Sequence, residues 1–523
     1  MDYLIHHMLT ASAHRAANHE ALVQGTKRLS YIQVAERTAG LAAGLCGAGL
    51  ERGDRIGIYL EASAEQVVSI FGVSRAGGVF VPINPQLFPD QVAHIANDCG
   101  MKGLITTKAR LAKLQPVLSK IPSLWFIVVP EEGQAPGVQL PVHSFEKLCK
   151  MKQPSNWRES SISKDLAAIV YTSGSTGKPK GVMLSHANII AGTAIVSTYL
   201  GITAADRVLA VLPLSFDAGL NQLMTTFQQG GTLVMLQSSF VRNISQILLK
   251  ERITGLAGVP TLWSLLAQPN SRLAKHPLPY LRYITNTGGA MPQAVLRTLR
   301  EILTATKIYL MYGLTEAFRS TYLPPEELDR RPTSIGKAIP DTEVFVLNEH
   351  GEQCKPGEVG ELVHRGSTVA LGYWNRPEDT ARVFRPNPFL PPTMGDCEKV
   401  CYSGDLVKMD EDGFLYFVGR RDAMIKSSGY RISPTEVEEV LFSSGKLSDA
   451  AVIGIPDEVL GQVIKAFVVP RDGERVAPKA LIAYCRKRMP PYMIPKAIEI
   501  LTGLPKTGSG KVDYLALRRR EEL

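Results

Sequence analysis

The stretch Tyr171-Thr172-Ser173-Gly174-Ser175-Thr176-Gly177-Lys178-Pro179-Lys180-Gly181 closes an apolar run that begins at Leu166. Consecutive Gly, Ser and Thr let backbone N–H groups and hydroxyls curl around an anion, and two lysines add positive charge. The stretch reads as a phosphate loop between a strand and the helical pattern of Ala187 to Tyr199. It is not a Walker A loop. Pro179 follows Gly177-Lys178 where that motif needs Ser or Thr, and no glycine stands five residues before Gly177. Neither a G-x-S-x-G elbow nor an H-E-x-x-H helix occurs, which weakens hydrolase readings.

Upstream of the loop, amphipathic helices alternate with short apolar strands. Ala35 to Gly47 reads as helix, Arg55 to Leu60 as strand, Ala64 to Gly77 as helix and Val79 to Pro82 as strand. Such alternation favours parallel β-α-β units. The same grammar returns at Thr232 to Leu236, Leu281 to Thr285 and Lys307 to Met311. Around Glu343 to Arg365 the pattern changes to short strands broken by Asn348-Glu349-His350-Gly351 and Lys355-Pro356-Gly357, which predicts antiparallel hairpins on a satellite subdomain. A second break falls near Gly419 to Asp422. Beyond it, Ser433-Pro434-Thr435-Glu436 reads as a capping box leading into the helix Val437 to Phe442, within a small α+β domain.

The chain has 523 residues, and 58 Lys+Arg against 49 Asp+Glu give a formal charge of +9, with 45% hydrophobic residues. That composition suits a folded protein with more than one core, not a disordered one. No apolar run approaches the roughly 18 residues needed to span a bilayer, and Met1 to Leu9 lacks the regions of a signal peptide. A cytoplasmic location is expected. Seven cysteines are too few for a disulfide scaffold, and the Cys397/Cys401 pair lacks the further ligands of a zinc site. Lys and Arg are dispersed apart from Arg486 to Arg488 and Arg518 to Arg520, which argues against a nucleic-acid groove while suiting ATP, CoA or an acidic carrier protein.

Downstream of the phosphate loop stand Asn286-Thr287-Gly288-Gly289-Ala290, Tyr312-Gly313-Leu314-Thr315-Glu316, Tyr402-Ser403-Gly404-Asp405, Gly419-Arg420-Arg421-Asp422, Gly429-Tyr430-Arg431-Ile432 and Gly508-Ser509-Gly510-Lys511. In that order, along nearly the whole chain, they resemble the motifs of the adenylate-forming superfamily of acyl-CoA synthetases, nonribosomal adenylation domains and luciferases. The chain is also similar to standalone acyl-CoA ligases associated with exosortase genes. The resemblance implies an α/β fold: a large N-terminal domain, residues 1–420, built from two β-α-β sheets and a small β subdomain, and a small mobile α+β domain, residues 421–523. It implies an AMP-forming acid–thiol ligase using ATP and Mg²⁺, with CoA or a phosphopantetheinylated carrier protein as co-substrate. Only a short tail follows Lys511, so any carrier is expected as a separate chain.

The resemblance also assigns roles. Thr172, Ser173, Gly174, Ser175, Thr176, Gly177, Lys178 and Lys180 would hold the β- and γ-phosphates, Thr315 the α-phosphate and Glu316 the Mg²⁺ ion, in keeping with Mg²⁺ chemistry. Tyr312 and Gly313 would meet adenine opposite Gly288, Gly289 and Ala290. Asp405 would accept from the ribose hydroxyls, with Arg420 and Arg431 reinforcing the nucleotide site. Lys511 would be the catalytic lysine, Asp422 the hinge, and the Gly429 loop would lie beside the thiol tunnel. Residues matching the acid pocket are Phe216, Asp217, Ala218, Asn221, Ala257, Thr285, Thr287, Met311, Arg319 and Ser320, a rather polar set that a long apolar tail would fit poorly.

Asp217 divides the substrate readings. In amino-acid-activating members of the family an acid at this position binds the substrate's amino group, which favours a small polar or amino-bearing acid. The alternative is a plain short or medium acid, with Asp217 capping a helix or pairing with Arg319. Two further classes stay open: a noncatalytic binding or scaffold relative, which would be expected to have lost Lys511, Glu316 or Asp405, and a luciferase-like oxygenase sharing the adenylation half.

Overall fold

The computed structural model describes residues 2–131, 137–172, 179–236, 241–271, 273, 277–394, 398–421, 423–427, 430–457, 461–489, 491–507 and 510–522. Two large sheets dominate. One has eight strands, ordered 372–373, 180–185, 166–172, 79–82, 55–59, 103–106, 126–129 and 142–144. The other has nine, ordered 337–338, 317–323, 307–314, 283–286, 255–258, 207–210, 232–235, 20–24 and 27–30. Pairing through the middle of each is parallel, as the alternating grammar predicts. The helices Ile5–Arg15, Tyr31–Gly47, Ala64–Arg75, His186–Leu200 and Asp217–Gln229 share one continuous apolar core with strands of both sheets. At its centre Phe71 stacks on Phe227 at 5.2 Å, with Tyr31 edge-on to Phe227. Each such fully buried ring contributes roughly 2 kcal/mol of transfer free energy.

Local chemistry sets the helix starts. Ser63 accepts from the Gln66 N–H, and Ser30 and Ser185 complete reciprocal capping boxes with Gln33 and Asn188. At Ser433 only half of the predicted box forms. Its hydroxyl oxygen accepts weakly from the Glu436 N–H at 3.4 Å while the hydroxyl donates to the Val418 carbonyl, so this cap also ties the helix Pro434–Phe442 to the strand Leu415–Arg420.

The strands Thr342–Leu347 and Val359–Gly366 form the expected antiparallel pair, extended by Lys399–Met409 and its partners into a separate five-stranded sheet. That sheet ends at Arg420, and a fourth sheet begins at Ile425 with its own apolar core. One element departs from the sequence reading. Lys180–Ser185, ahead of the predicted helix, is a strand antiparallel to Leu166–Thr172, with Thr172 opposite Lys180. Tertiary pairing decides this, because six residues beginning Lys-Gly carry no strong period of their own. Among the described residues no helix is long and apolar enough to cross a membrane, and the described cysteines are free thiols.

Candidate active site

The site gathers at the carboxyl ends of the parallel strands of the nine-stranded sheet, where α/β folds present their ligand-binding loops. Strand Tyr283–Asn286 runs beside Lys307–Leu314, with Thr285 opposite Tyr309 and Asn286 opposite Leu310. Their continuations, Thr287 to Ala290 and Tyr312 to Glu316, therefore emerge together. The turn from Leu314 to Ala317 is tight, and a Cβ on Gly313 would stand 3.2 Å from the Cα of Arg319, which accounts for glycine there.

At the end nearest the phosphate hairpin, Lys180 donates to Asp379 at 2.8 Å and lies 5.7 Å from the Tyr373 ring. The Tyr373 hydroxyl donates to Glu316 Oε1 at 2.7 Å. The bond to Lys180 holds the Asp379 carboxyl below its ordinary range, and burial, reinforced by Glu316, raises the Tyr373 phenol. Lys180, Glu316, Tyr373 and Asp379 thus form one cluster, half-buried Thr315 precedes Glu316, and Thr172 lies across the hairpin from Lys180. Tyr373 and Asp379 were not singled out by motif. Their signal is tertiary: the short strand Gly372–Tyr373 pairs with Lys180–Ser185, bringing the tyrosine to the hairpin. Residues Ser173, Gly174, Ser175, Thr176, Gly177 and Lys178 lie outside the described residues, as do Asp422 and Gly429; Arg431 is placed on the strand Tyr430–Ile432 by its backbone alone.

A second cluster forms on the five-stranded sheet. The Tyr312 hydroxyl donates to Asp405 Oδ2 at 2.5 Å, and Arg420, directly opposite Asp405 across the strands, pairs with Oδ1 at 2.9 Å. Burial, then the Asp405 charge, pushes the Tyr312 phenol well up, so it remains a donor. Behind its ring lies His364, stacked at 6.1 Å and fully buried. Burial holds that imidazole down at about 3, hence neutral and apolar in effect. The outcome is a tyrosine ring fixed on one face by an aromatic and at its tip by a carboxylate, beside an exposed guanidinium.

Lys511 comes to Gly288 from the C-terminal domain. Its loop is closed by the Thr507 N–H donating to the Lys511 carbonyl at 2.7 Å. A Cβ on Gly288 would meet Lys511 Cε at 3.2 Å and Nζ at 3.9 Å, so the lysine lies over that glycine, whose φ is +79°. The C-terminal lysine is therefore closed onto the motif containing Thr287 to Ala290.

The acid-pocket residues separate. Thr285, Thr287, Ser320 and Asn221 are buried; Met311 accepts from the Tyr199 hydroxyl within a cluster of tyrosines; Phe216, Asp217 and Ala218 are half-buried at the start of the helix Asp217–Gln229; Ala257 pairs with Thr285. Neither structural role considered for Asp217 is present. The residue at the cap position is Phe216 and no side-chain cap bond forms, while Arg319 donates instead to Thr287 Oγ1 at 3.1 Å. Asp217 sits in the first helical turn, where the helix dipole favours its charge, with no hydrogen-bond or ion-pair partner among the described residues.

The model of the AMP-binding enzyme family matches residues 9–374 and that of its C-terminal domain residues 436–511. The chain belongs to the AMP-binding enzyme family. More narrowly, it falls among the AMP-forming acyl-CoA ligases, enzymes that make carbon–sulfur bonds. It is 33% identical to a feruloyl-CoA synthase of Amycolatopsis sp, over 96% of this chain and 95% of that one. It is 31% identical to a long-chain-fatty-acid–CoA ligase of Bacillus subtilis, over 98% and 93% respectively. Among solved structures it resembles the anthranilate CoA ligase AuaEII in complex with anthranoyl-AMP (TM-score 0.88, 27% identity, 99% and 97% covered). It also resembles o-succinylbenzoate CoA synthetase of Bacillus subtilis in complex with ATP and magnesium (TM-score 0.83, 26% identity, 99% of both chains).

Proposed function

We propose that the chain adenylates a small amino-bearing carboxylic acid with Mg-ATP and passes the acyl group to the pantetheine thiol of CoA. The observation that carries the choice of acid is Asp217, a half-buried carboxylate at a helix start with neither a capping bond nor a basic partner among the described residues. A substrate ammonium would supply that partner. Anthranilate, the acid of one structural neighbour, is itself amino-bearing.

In the first half-reaction the substrate carboxylate attacks the α-phosphorus and pyrophosphate leaves. Little covalent help is needed, but much charge must be offset. Lys511, lying over Gly288, would face the charge gathering between carboxylate and α-phosphate; Thr172, Lys180 and residues Ser173 to Lys178 would hold the outer phosphates, and Thr315 the inner one. Tyr373 occupies one oxygen of Glu316, which leaves the other for a metal. Mg²⁺ held there would neutralise phosphate charge. Tyr312, Gly288, Gly289, Ala290 and Gly313 would enclose the base, with Asp405, Arg420 and Arg431 towards the ribose. In the second half-reaction the thiol attacks the acyl carbonyl and AMP leaves, after a turn about Asp422 has withdrawn Lys511 and brought up the Gly429 loop.

A second reading, a plain acid with Asp217 kept for the helix dipole, is favoured by the names of the feruloyl and fatty-acid relatives. A separate carrier protein could replace CoA, since both present the same arm. ATP–pyrophosphate exchange with Mg²⁺ across amino acids paired with their deaminated acids separates the substrates. Exchange confined to amino-bearing members, and lost selectively in Asp217→Ala, supports the first reading; equal exchange with plain acids, unchanged in the variant, establishes the second.

A further inference from the structure

Arg319 is 6% exposed, yet among the described residues its charge meets no carboxylate and its side chain makes one hydrogen bond, Nη1 to Thr287 Oγ1 at 3.1 Å. A guanidinium carries five N–H donors, and a buried cation without a counter-charge is strongly unfavourable. The backbone at Arg319 is also in the left-handed region, with φ +87°. A non-glycine residue held there costs about 1–2 kcal/mol and persists only where its surroundings enforce it. They do: Gly313 abuts its Cα, and its carbonyl accepts from Thr368 Oγ1 at 3.3 Å.

The place is informative as well as the strain. Thr287, the acceptor for Arg319, immediately precedes Gly288, on which the Lys511 side chain lies. The uncompensated cation therefore stands beside the point where the two domains close. Nearby in sequence to Asp217, Asn221 contributes a second buried donor, Nδ2, which has no acceptor among the described residues.

We infer that Arg319 anchors a second carboxylate on the acid substrate, so that the preferred substrate is a dicarboxylic acid. This deepens the reading proposed above. With Asp217 taking the ammonium, the substrate class becomes an amino dicarboxylic acid whose free carboxylate pairs with the guanidinium while the other is adenylated.

The test is ATP–pyrophosphate exchange by the full chain with aspartate, glutamate and 2-aminoadipate, each beside its side-chain amide and the neutral amino acid of equal length, and beside succinate, glutarate and adipate. The expected result is an acid-over-amide preference in kcat/KM of at least about hundredfold for one chain length, because a buried charge rejects a ligand that leaves it unpaired. Arg319→Met should lower that ratio by a similar factor, and Arg319→Lys, which keeps charge without the fork, should restore part of it. Exchange by the wild type with neutral amino acids at least as fast as with the acids overturns the inference, and does so without any variant. A raised KM for ATP in Arg319→Met, with an unchanged acid-to-amide ratio, also overturns it by assigning the guanidinium to nucleotide phosphate. The two readings fail separately. Equal exchange with glutarate and glutamate removes the role of Asp217 and leaves Arg319 in place, whereas exchange led by neutral amino acids does the reverse.

Discussion

Gly288→Ala tests the proposed catalytic placement of Lys511. The added methyl would stand 3.2 Å from Lys511 Cε and 3.5 Å from Val259 Cγ1, while the backbone keeps φ +79°. Alanine at such a φ costs about 1 kcal/mol relative to glycine, a loss of stability the fold should tolerate. The lysine is the flexible partner, so it moves. Restoring ordinary van der Waals contact displaces its ammonium by roughly 0.5 Å, and since misplacement by about 1 Å costs on the order of a hundredfold in rate, adenylation should slow about tenfold. Two assays separate the half-reactions: ATP–pyrophosphate exchange for the first, and single-turnover capture of a supplied acyl-adenylate by CoA for the second. The second should change little if, as proposed, Lys511 leaves Gly288 before the thiol attacks. Equal slowing of both would refute the reasoning, showing that the methyl acts on the nucleotide site shared by the two steps and not on the lysine.

Lys511→Ala should reduce exchange by about 10²–10³ while sparing thioester formation from supplied adenylate, the loss expected when one preorganised charge donor is removed. Tyr373→Phe removes the hydroxyl that donates to Glu316 at 2.7 Å, and should raise the Mg²⁺ concentration for half-maximal exchange by about tenfold, with thermal stability little changed. Glu438→Gln should stabilise the C-terminal domain at pH 8. Burial pushes the Glu438 carboxyl up from 4.5 to about 7, so its contribution is fully present below pH 4.5 and is lost as pH rises through 7. The amide keeps the acceptor for the Val452 N–H and the Tyr514 hydroxyl, and melting at pH 8 should reveal a gain on the order of 1–3 kcal/mol that vanishes below pH 4.5.

What was legible in the sequence is what local periodicity or ordered motifs encode. Val79 to Pro82 stands as read, Leu166 to Tyr171 gains Thr172, and the predicted helix Ala187 to Tyr199 extends by one residue at each end. The helix predicted from Ala35 starts four residues earlier at Tyr31, because the Ser30–Gln33 box fixes its start upstream of the clear apolar repeat. The hairpin strand Lys180–Ser185 escaped because its evidence is its partner, and Tyr373 and Asp379 escaped because a two-residue strand and a seven-residue helix bring them to Lys180 from far along the chain. The isolation of Arg319 was equally hidden. The sequence left open a pairing of Arg319 with Asp217, and only the folded geometry gives its hydrogen bond to Thr287 instead.

The same geometry limits how the C-terminal domain is held. The Ser433 cap reaches the Val418 carbonyl, the Arg421 N–H donates to the Gly404 carbonyl at 2.7 Å, and Arg421 pairs with Glu361 at 2.9 Å. These contacts crowd around the junction between Arg420 and Ile425. Lys511 reaches the other side of the site from a loop exposed to solvent. A turn about the junction would keep these contacts near its axis while moving Lys511 furthest. Arg421→Ala, which removes the pair with Glu361 without touching Lys511, should therefore change the balance of the half-reactions and leave the acid-to-amide ratio governed by Arg319 as it was. A variant that altered that ratio as well would mean that acid selection and domain closure share one set of contacts.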